Sequence, residues 1–301
     1  MTLDELQEDL DLRANSLIVT VFGDTLLPLG GGAWLSGLIT LMSEFGLSER
    51  LVRTGVYRLQ KDGILQSKSV GRRAFYELSD LGRLTFETAE TRIYNVAPQD
   101  WNGEWQLVYL LPGLTNKTRQ KVKKELRWQS FGEFGTNLLA RPSNQPFDRS
   151  LLQEAHLEGF VISFQGQLHD SFPKNRLAEL AKENWDLENL NEEYMAFVDR
   201  FTRAANLISE NKKPSDQVCF RLRTLLTHDY RRLLLRDPQL PNDLLPESWA
   251  GQQASNLAAR IYQMIGAQAQ KHALEILERT ENEMEEDFWE RFGGLEHRGQ
   301  I

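Results

Sequence analysis

Between Ser48 and Lys61 the chain concentrates side chains that can bind phosphates and base edges. Arg50, Arg53, Thr54, Tyr57, Arg58 and Lys61 fall largely on one side of a helix read over Ser48–Gly63. Leu51, Val52, Val56 and Leu59 make the opposite, apolar side, Ser48 is placed to cap the helix, and Gly63 to stop it. Taken alone, the same pattern also fits a solvated surface helix. From Ser48 to Arg73, seven basic residues (Arg50, Arg53, Arg58, Lys61, Lys68, Arg72, Arg73) stand against two acidic ones, Glu49 and Asp62. That patch sits in a 301-residue chain of net charge −8, so any anion binding is localised rather than general.

The elements around this stretch decide what it can do. Trp34–Phe45 (WLSGLITLMSEF) carries Leu35, Leu38, Ile39 and Met42 on one helical face, and Gly46 and Leu47 break it just before Ser48. Two strands, Ile64–Val70 and Ala74–Leu78, follow, joined by Gly71-Arg72-Arg73. Helix, glycine-containing turn, helix and basic hairpin is the order of a winged helix-turn-helix. Its hairpin tip would bring Lys68, Arg72 and Arg73 to phosphates or a minor groove. A small α+β domain with solvated arginines is the alternative.

Upstream, Ala14–Phe22 reads as a buried helix whose β-branched content also allows a strand, and Leu26–Gly32 (LLPLGGG) as a glycine-rich turn. No Gly-Lys-Ser/Thr follows the glycines, so they make no Walker loop. Downstream, Ser79–Tyr94 reads as a helix whose Leu81, Leu84, Thr85, Ala89 and Ile93 would pack back on the preceding domain or extend from it, and Pro98 marks a boundary.

Residues 98–170 then read as strand (Glu104–Leu111), basic helix (Thr115–Trp128), two short strands (Phe131–Phe134, Thr136–Arg141), helix (Phe147–Leu157) and strand (Gly159–Gln167). This is the order of a ferredoxin-like unit. Beyond Pro173 the periodicity is helical, with stripes over Leu190–Ile208, Val218–Leu226 and Ala254–Ile265. We therefore expect an α+β multidomain protein: a winged-helix DNA-binding domain over 1–97, a ferredoxin-like central domain over 98–170, and a mainly helical domain over 171–301.

Composition excludes several classes. Hydrophobic residues make up 41% and charged residues 26%, a globular balance. No apolar run approaches the ~18 residues of a membrane span, and the acidic start MTLDELQEDLDLR is unlike a secretory signal. We expect a soluble, cytoplasmic protein. The single cysteine, Cys219, excludes an internal disulfide and reads as a small buried hydrophobe. His156, His169, His228, His272 and His297 show no metal-ligand spacing, and no Gly-x-Ser-x-Gly elbow is present. His228-Asp229 is the most tempting pair, but neighbours on a helix point about 100° apart. No catalytic residue, metal or cofactor is expected.

Four stretches together resemble the PaaX family: RANSLIVTVFGDTLLPLGGGAWLSGLITLM, FGLSERLVRTGVYRLQKDGIL, GRRAFYELSDLGR and HDYRRLLLRDPQLPNDLLPESWAG. The resemblance implies a transcriptional repressor of phenylacetic acid degradation genes that binds palindromic double-stranded operator DNA as a homodimer. It also implies that phenylacetyl-coenzyme A acts as the effector that releases DNA. By position, the recognition helix is Ser48–Lys61 and the wing tip Gly71–Arg73. No family motif fixes the effector site. Its phosphates call for arginines or lysines beside an apolar pocket. Arg221, Arg223, Arg231 and Arg232, with the Trp249 segment, meet that need, and so does Lys117–Arg127 with Trp128, Phe131 and Phe134. We expect the former. An acyl-CoA-metabolising enzyme and a nucleic-acid-processing protein built on the ferredoxin-like unit are the competing readings.

Overall fold

The structure is a computed structural model that describes residues 2–10, 12–94, 101–143, 152–153, 156–168, 173–210 and 214–295. Most of the helix expected over Phe147–Leu157 lies outside the described residues, as do Pro98, His169 and His297. The elements run α1 (Leu3–Glu8), α2 (Ala14–Val21), β1 (Gly32–Trp34), α3 (Leu35–Ser43), α4 (Glu49–Lys61), β2 (Leu65–Val70), β3 (Arg73–Leu78) and α5 (Asp80–Tyr94). After these come β4 (Glu104–Leu110), α6 (Asn116–Trp128), β5 (Gly132–Glu133), β6 (Leu138–Pro142) and β7 (Val161–Gln167). The last helices are α7 (Lys174–Trp185), α8 (Leu187–Glu210), α9 (Asp216–Leu234), α10 (Gly251–Leu277) and the short α11 (Asp287–Glu290). This is an α+β fold with two small antiparallel sheets.

The chain forms two compact units: Met1–Val96 with Tyr194–Leu235 and Ala250–Ile301, and Ala97–Glu193 with Arg236–Trp249. The consecutive blocks 1–97, 98–170 and 171–301 expected from sequence cut across them. The last block is shared between the two units, because α9 and α10 pack with the N-terminal elements while α7 joins the central sheet.

In the first unit, α2 lies against α4, and α9 pairs with α10. Leu17, Ile18, Val21, Leu38, Leu41, Met42, Val52 and Val56 are buried there. Gly55 on α4 makes the close approach to α2 possible, since a Cβ at that position would collide with Ile18. Each end of the α3–α4 connection has a local cause. Gly46 adopts φ 73°, and the Leu47 amide returns to the Met42 carbonyl at 3.3 Å, closing α3. The Ser48 hydroxyl accepts the Leu51 amide at 3.4 Å and starts α4. Gly63, at φ 76°, ends α4 with Ile64 N–H donating to the Leu59 carbonyl at 2.9 Å.

The sheet of this unit has the order β1-β3-β2, with Trp34 opposite Phe75 and Val70 opposite Arg73. The flexible glycine turn expected before α3 is thus in part a strand. Gly30 and Gly31 take left-handed φ, whereas Gly32 starts β1, where a Cβ would strike the Phe75 ring. Three further expectations are corrected. Trp34 ends β1 rather than starting α3. On α4, Leu51 is 47% exposed, and Gly55 takes its place in the buried face. On α5 the packed residues are Gly82, Phe86, Ile93 and Tyr94, while Leu81 and Leu84 face outward.

The second unit is built on a sheet of order β5-β6-β4-β7, antiparallel throughout. One face, with Val108, Leu110, Leu139 and Val161, is covered by Val122 and Leu126 of α6 together with Phe131. The other carries Trp105 and Ala140 against Ala181, Leu187, Leu240 and Leu244.

Candidate nucleic-acid interface

The burial pattern of α4 aims its polar side outward. With Val52, Gly55, Val56 and Leu59 turned inward, Arg50, Thr54, Tyr57 and Lys61 align at i, i+4, i+7 and i+11 on the outer face. Arg53 and Arg58 flank this ridge, and all six side chains are exposed. Tyr57, the single aromatic of α4, presents 65% of its surface. Thr54 donates its hydroxyl to the Arg50 carbonyl at 2.8 Å, which leaves its oxygen able to accept. Among the described residues Arg50, Arg58, Lys61 and Arg72 form no ion pair, so their full charge is available to an anion. Ser48 is engaged as the cap.

Arg53 differs. Its Nε and Nη2 both lie 2.7 Å from the Glu49 Oε1. A second link fixes the hairpin to the helix: Gln60 Nε2 donates to Ser67 Oγ at 3.1 Å, joining α4 to β2. In the hairpin, Lys68 reaches Glu77 at 2.5 Å, and Gln66 donates to the same Glu77 oxygen at 2.9 Å. Arg73 lies over the Trp34 ring at 4.7 Å, and Trp34 meets Phe75 edge-on with centroids 5.2 Å apart. Arg72, at the turn after Gly71 (φ 62°), is exposed. The ten expected DNA-contacting residues therefore fall into two groups. Arg50, Tyr57, Arg58, Lys61 and Arg72 are presented freely, while Ser48, Arg53, Thr54, Lys68 and Arg73 already have protein partners. The reading of the sequence passed over Glu49, Gln60 and Trp34. The Glu49–Arg53 spacing of four was the available signal.

The four arginines expected to hold effector phosphates are not gathered into one open site. Arg223 is fully buried, with its Nε 2.9 Å from Asp24 Oδ2 and further bonds to the Gly266 carbonyl, Thr25 and Gln270. Arg231 donates from Nε to Thr20 Oγ1 at 2.8 Å and from Nη2 to the carbonyl and hydroxyl of Ser16. Burial pulls its guanidinium down to about 10, with Tyr94 opposing. Arg221 reaches Asp4 at 2.6 Å, and the half-exposed Arg232 reaches Asp229 at 3.2 Å. Trp249 belongs to the other unit. In the alternative basic helix α6, Lys123 and Arg127 both pair with Glu133, while Arg119 bonds Asn137, leaving Lys117 and Lys124 exposed.

His228 and Asp229 separate as their helical offset requires. His228 Nδ1 meets Thr20 Oγ1 at 3.0 Å, and Asp229 pairs with Arg200 and Arg232. Cys219 is buried. Among the described residues no group of three or more His, Cys, Asp or Glu is arranged to hold a metal, and no helix is long and apolar enough to cross a membrane.

Known proteins can be set beside this geometry. The family described as PaaX-like protein matches residues 13–82, and the PaaX-like protein C-terminal domain matches residues 185–275. The transcriptional repressor PaaX of Escherichia coli (strain K12) is 38% identical over 289 residues, covering 94% of this chain and 91% of that protein. Among solved structures, an uncharacterized protein from Mycobacterium tuberculosis superposes with a TM-score of 0.53 at 21% identity, over 79% of this chain and 90% of that one, a likeness of fold. With a relative this similar along nearly the whole length, and with both of its characteristic segments matched, the chain belongs to the PaaX-like protein family.

Proposed function

We propose that this chain is a transcriptional repressor of phenylacetic acid catabolic genes. It uses α4 as the recognition helix in the major groove and the β2–β3 hairpin as a wing on the flanking backbone. The observation that carries this reading is the ridge Arg50-Thr54-Tyr57-Lys61, exposed along a helix whose opposite side is fully packed. The name of the E. coli relative, a transcriptional repressor, supports a DNA-binding role over an acyl-CoA-metabolising enzyme or a nucleic-acid-processing one. Helix, turn, helix and hairpin fit a winged helix-turn-helix. The strand order of the second unit, fourth-first-third-second in its own numbering, fits a ferredoxin-like module.

The operator is read as a homodimer on palindromic double-stranded DNA, and phenylacetyl-CoA is the effector that releases it. Release requires that the effector bind one dimer geometry better than the other, because equal affinity for both shifts nothing. In the C-terminal stretch, Arg231→Ala and Arg232→Ala test the effector site. Phenylacetyl-CoA affinity unchanged in both would remove that stretch from consideration. The proposal as a whole is tested by a gel-shift series with promoter DNA of a phenylacetate operon, with and without phenylacetyl-CoA. A shift abolished by the effector is expected. No shift in its absence would refute the reading.

A further inference from the structure

We propose that Glu49 is a specificity-setting positioning residue, which holds the Arg53 guanidinium so that only its far edge meets a base. The inference rests on the reading of α4 as a recognition helix. Glu49 is the lone carboxylate among the exposed residues of the first two turns of an otherwise basic face. A negative charge there opposes approach to phosphates. The pair contributes little to folding, since Arg53 and Glu49 are 56% and 59% exposed and such surface pairs are weak. A carboxylate in the first turn also suits the helix N-terminus, yet neither effect fixes where the Arg53 guanidinium points.

The geometry does. Both Nε and Nη2 of Arg53 point to one oxygen, Oε1, at 2.7 Å. That contact occupies the near edge of the guanidinium. Nη1 and the outer Nη2 proton remain as two parallel donors, the arrangement that matches O6 and N7 of guanine. A free arginine loses much rotamer freedom when it orders on DNA, and a side chain already held in place loses less. Arg58 and Lys61, which form no ion pair among the described residues, keep their charge for contacts of any sequence. Glu49 thus separates an arginine that reads from cations that hold.

The test uses the full chain and a pool of randomised duplexes, followed by titration of the selected duplex and a scrambled one. Wild type should enrich a guanine at one position of each half-site. Glu49→Ala should lose about tenfold of the selected-to-scrambled ratio while binding the scrambled duplex more tightly. Glu49→Gln, which keeps an oxygen to accept from Arg53, should retain part of the ratio. In an Arg53→Ala background, Glu49→Ala should leave the ratio unchanged. An unchanged ratio in Glu49→Ala, equal ratios for the Gln and Ala variants, or the same loss in the Arg53→Ala background would each overturn the proposal. If wild type selects no sequence at all, the recognition-helix reading falls and this inference with it. That failure is distinct, because it appears before any Glu49 variant is compared.

Discussion

Replacing Asp24 by Asn should cost the first unit about 3–5 kcal/mol, a large share of the ~5–15 kcal/mol typical of a folded domain. Asp24 lies in the π-turn Phe22–Leu26 and is 2% exposed. Its Oδ2 stands 2.9 Å from Arg223 Nε, and its Oδ1 stands 3.6 Å from Arg291 Nη1. The same Oδ1 accepts the hydroxyls of Tyr94 at 2.7 Å and Tyr262 at 2.8 Å. Burial, with the Asp24 charge beside them, pushes both phenols above their ordinary range, so they stay neutral and donate. Arg291 has a second carboxylate in Glu90. Arg223 has Asp24 as its acidic partner, alongside neutral acceptors.

Asparagine keeps the shape and one accepting oxygen but removes the charge. One buried cation is then uncompensated. Two unit charges about 4 Å apart attract by about 4 kcal/mol at an effective dielectric constant of ~20, which sets the scale. Because the chain has two units, a single melting curve would blend them. Hydrogen exchange read peptide by peptide separates them: α5, α9 and α10 should lose protection together while β4–β7 keep theirs. In an Arg223→Met background the Asn substitution should cost at least ~1.5 kcal/mol less, since the partner charge is already gone. A loss below about 1 kcal/mol for Asp24→Asn, or an equal loss in both backgrounds, would refute the argument that this carboxylate neutralises Arg223.

On the interface, Arg53→Ala should weaken binding to a selected operator by about 1–3 kcal/mol, read by gel shift against single-base variants. Lys61→Ala should instead weaken all duplexes alike and flatten the logarithmic salt dependence by about one unit, if Lys61 contacts a phosphate. Gly55→Val should destabilise the first unit by about 1–3 kcal/mol in urea titration, because the added carbons meet Ile18 across α2–α4. In the second unit, burial raises the Glu133 carboxyl, but hydrogen bonds from Lys123 and Arg127 outweigh it and hold it below the usual carboxylate range. A depressed carboxyl contributes stability above its unfolded value and loses it as pH falls through the folded one. Glu133→Gln should therefore remove part of the acid sensitivity of that unit in melts between neutral pH and pH 3.

The elements of the first unit differ in how far they could be read from sequence, and the difference is physical. Helix α4 was legible because its information is local: a cap, a stop and an apolar period over thirteen residues. The hairpin was legible for the same reason. Strand β1 was hidden, because three residues opening in a glycine run carry no alternation, and their place is set by Phe75 more than forty residues away. Helix α5 misled because two leucines outweigh one phenylalanine in a periodicity reading. The packed face follows Phe86, Ile93 and Tyr94, whose partners lie elsewhere in the chain.

The arginines of α9 show where such reading ends. A guanidinium that binds a ligand and one that neutralises a buried carboxylate have the same letter and can have the same spacing. What separates them is whether an acid lies within reach, and for Arg223 that acid is Asp24, roughly two hundred positions upstream. Arg223 does sit among Phe220, Leu226 and Thr227, all buried. An arginine inside an apolar stripe must be paired or hydrogen-bonded on every side, because an isolated buried charge costs more than folding can spare. Applied to α4, the same reasoning gives the opposite result. Its arginines lie off the apolar stripe, where no buried partner is required, and an exposed cation without a partner keeps its charge for whatever binds the surface. The exposed basic side of α4 was therefore the part of this protein that sequence could locate. The buried struts holding α2, α5, α9 and α10 together could be found only once the chain was folded.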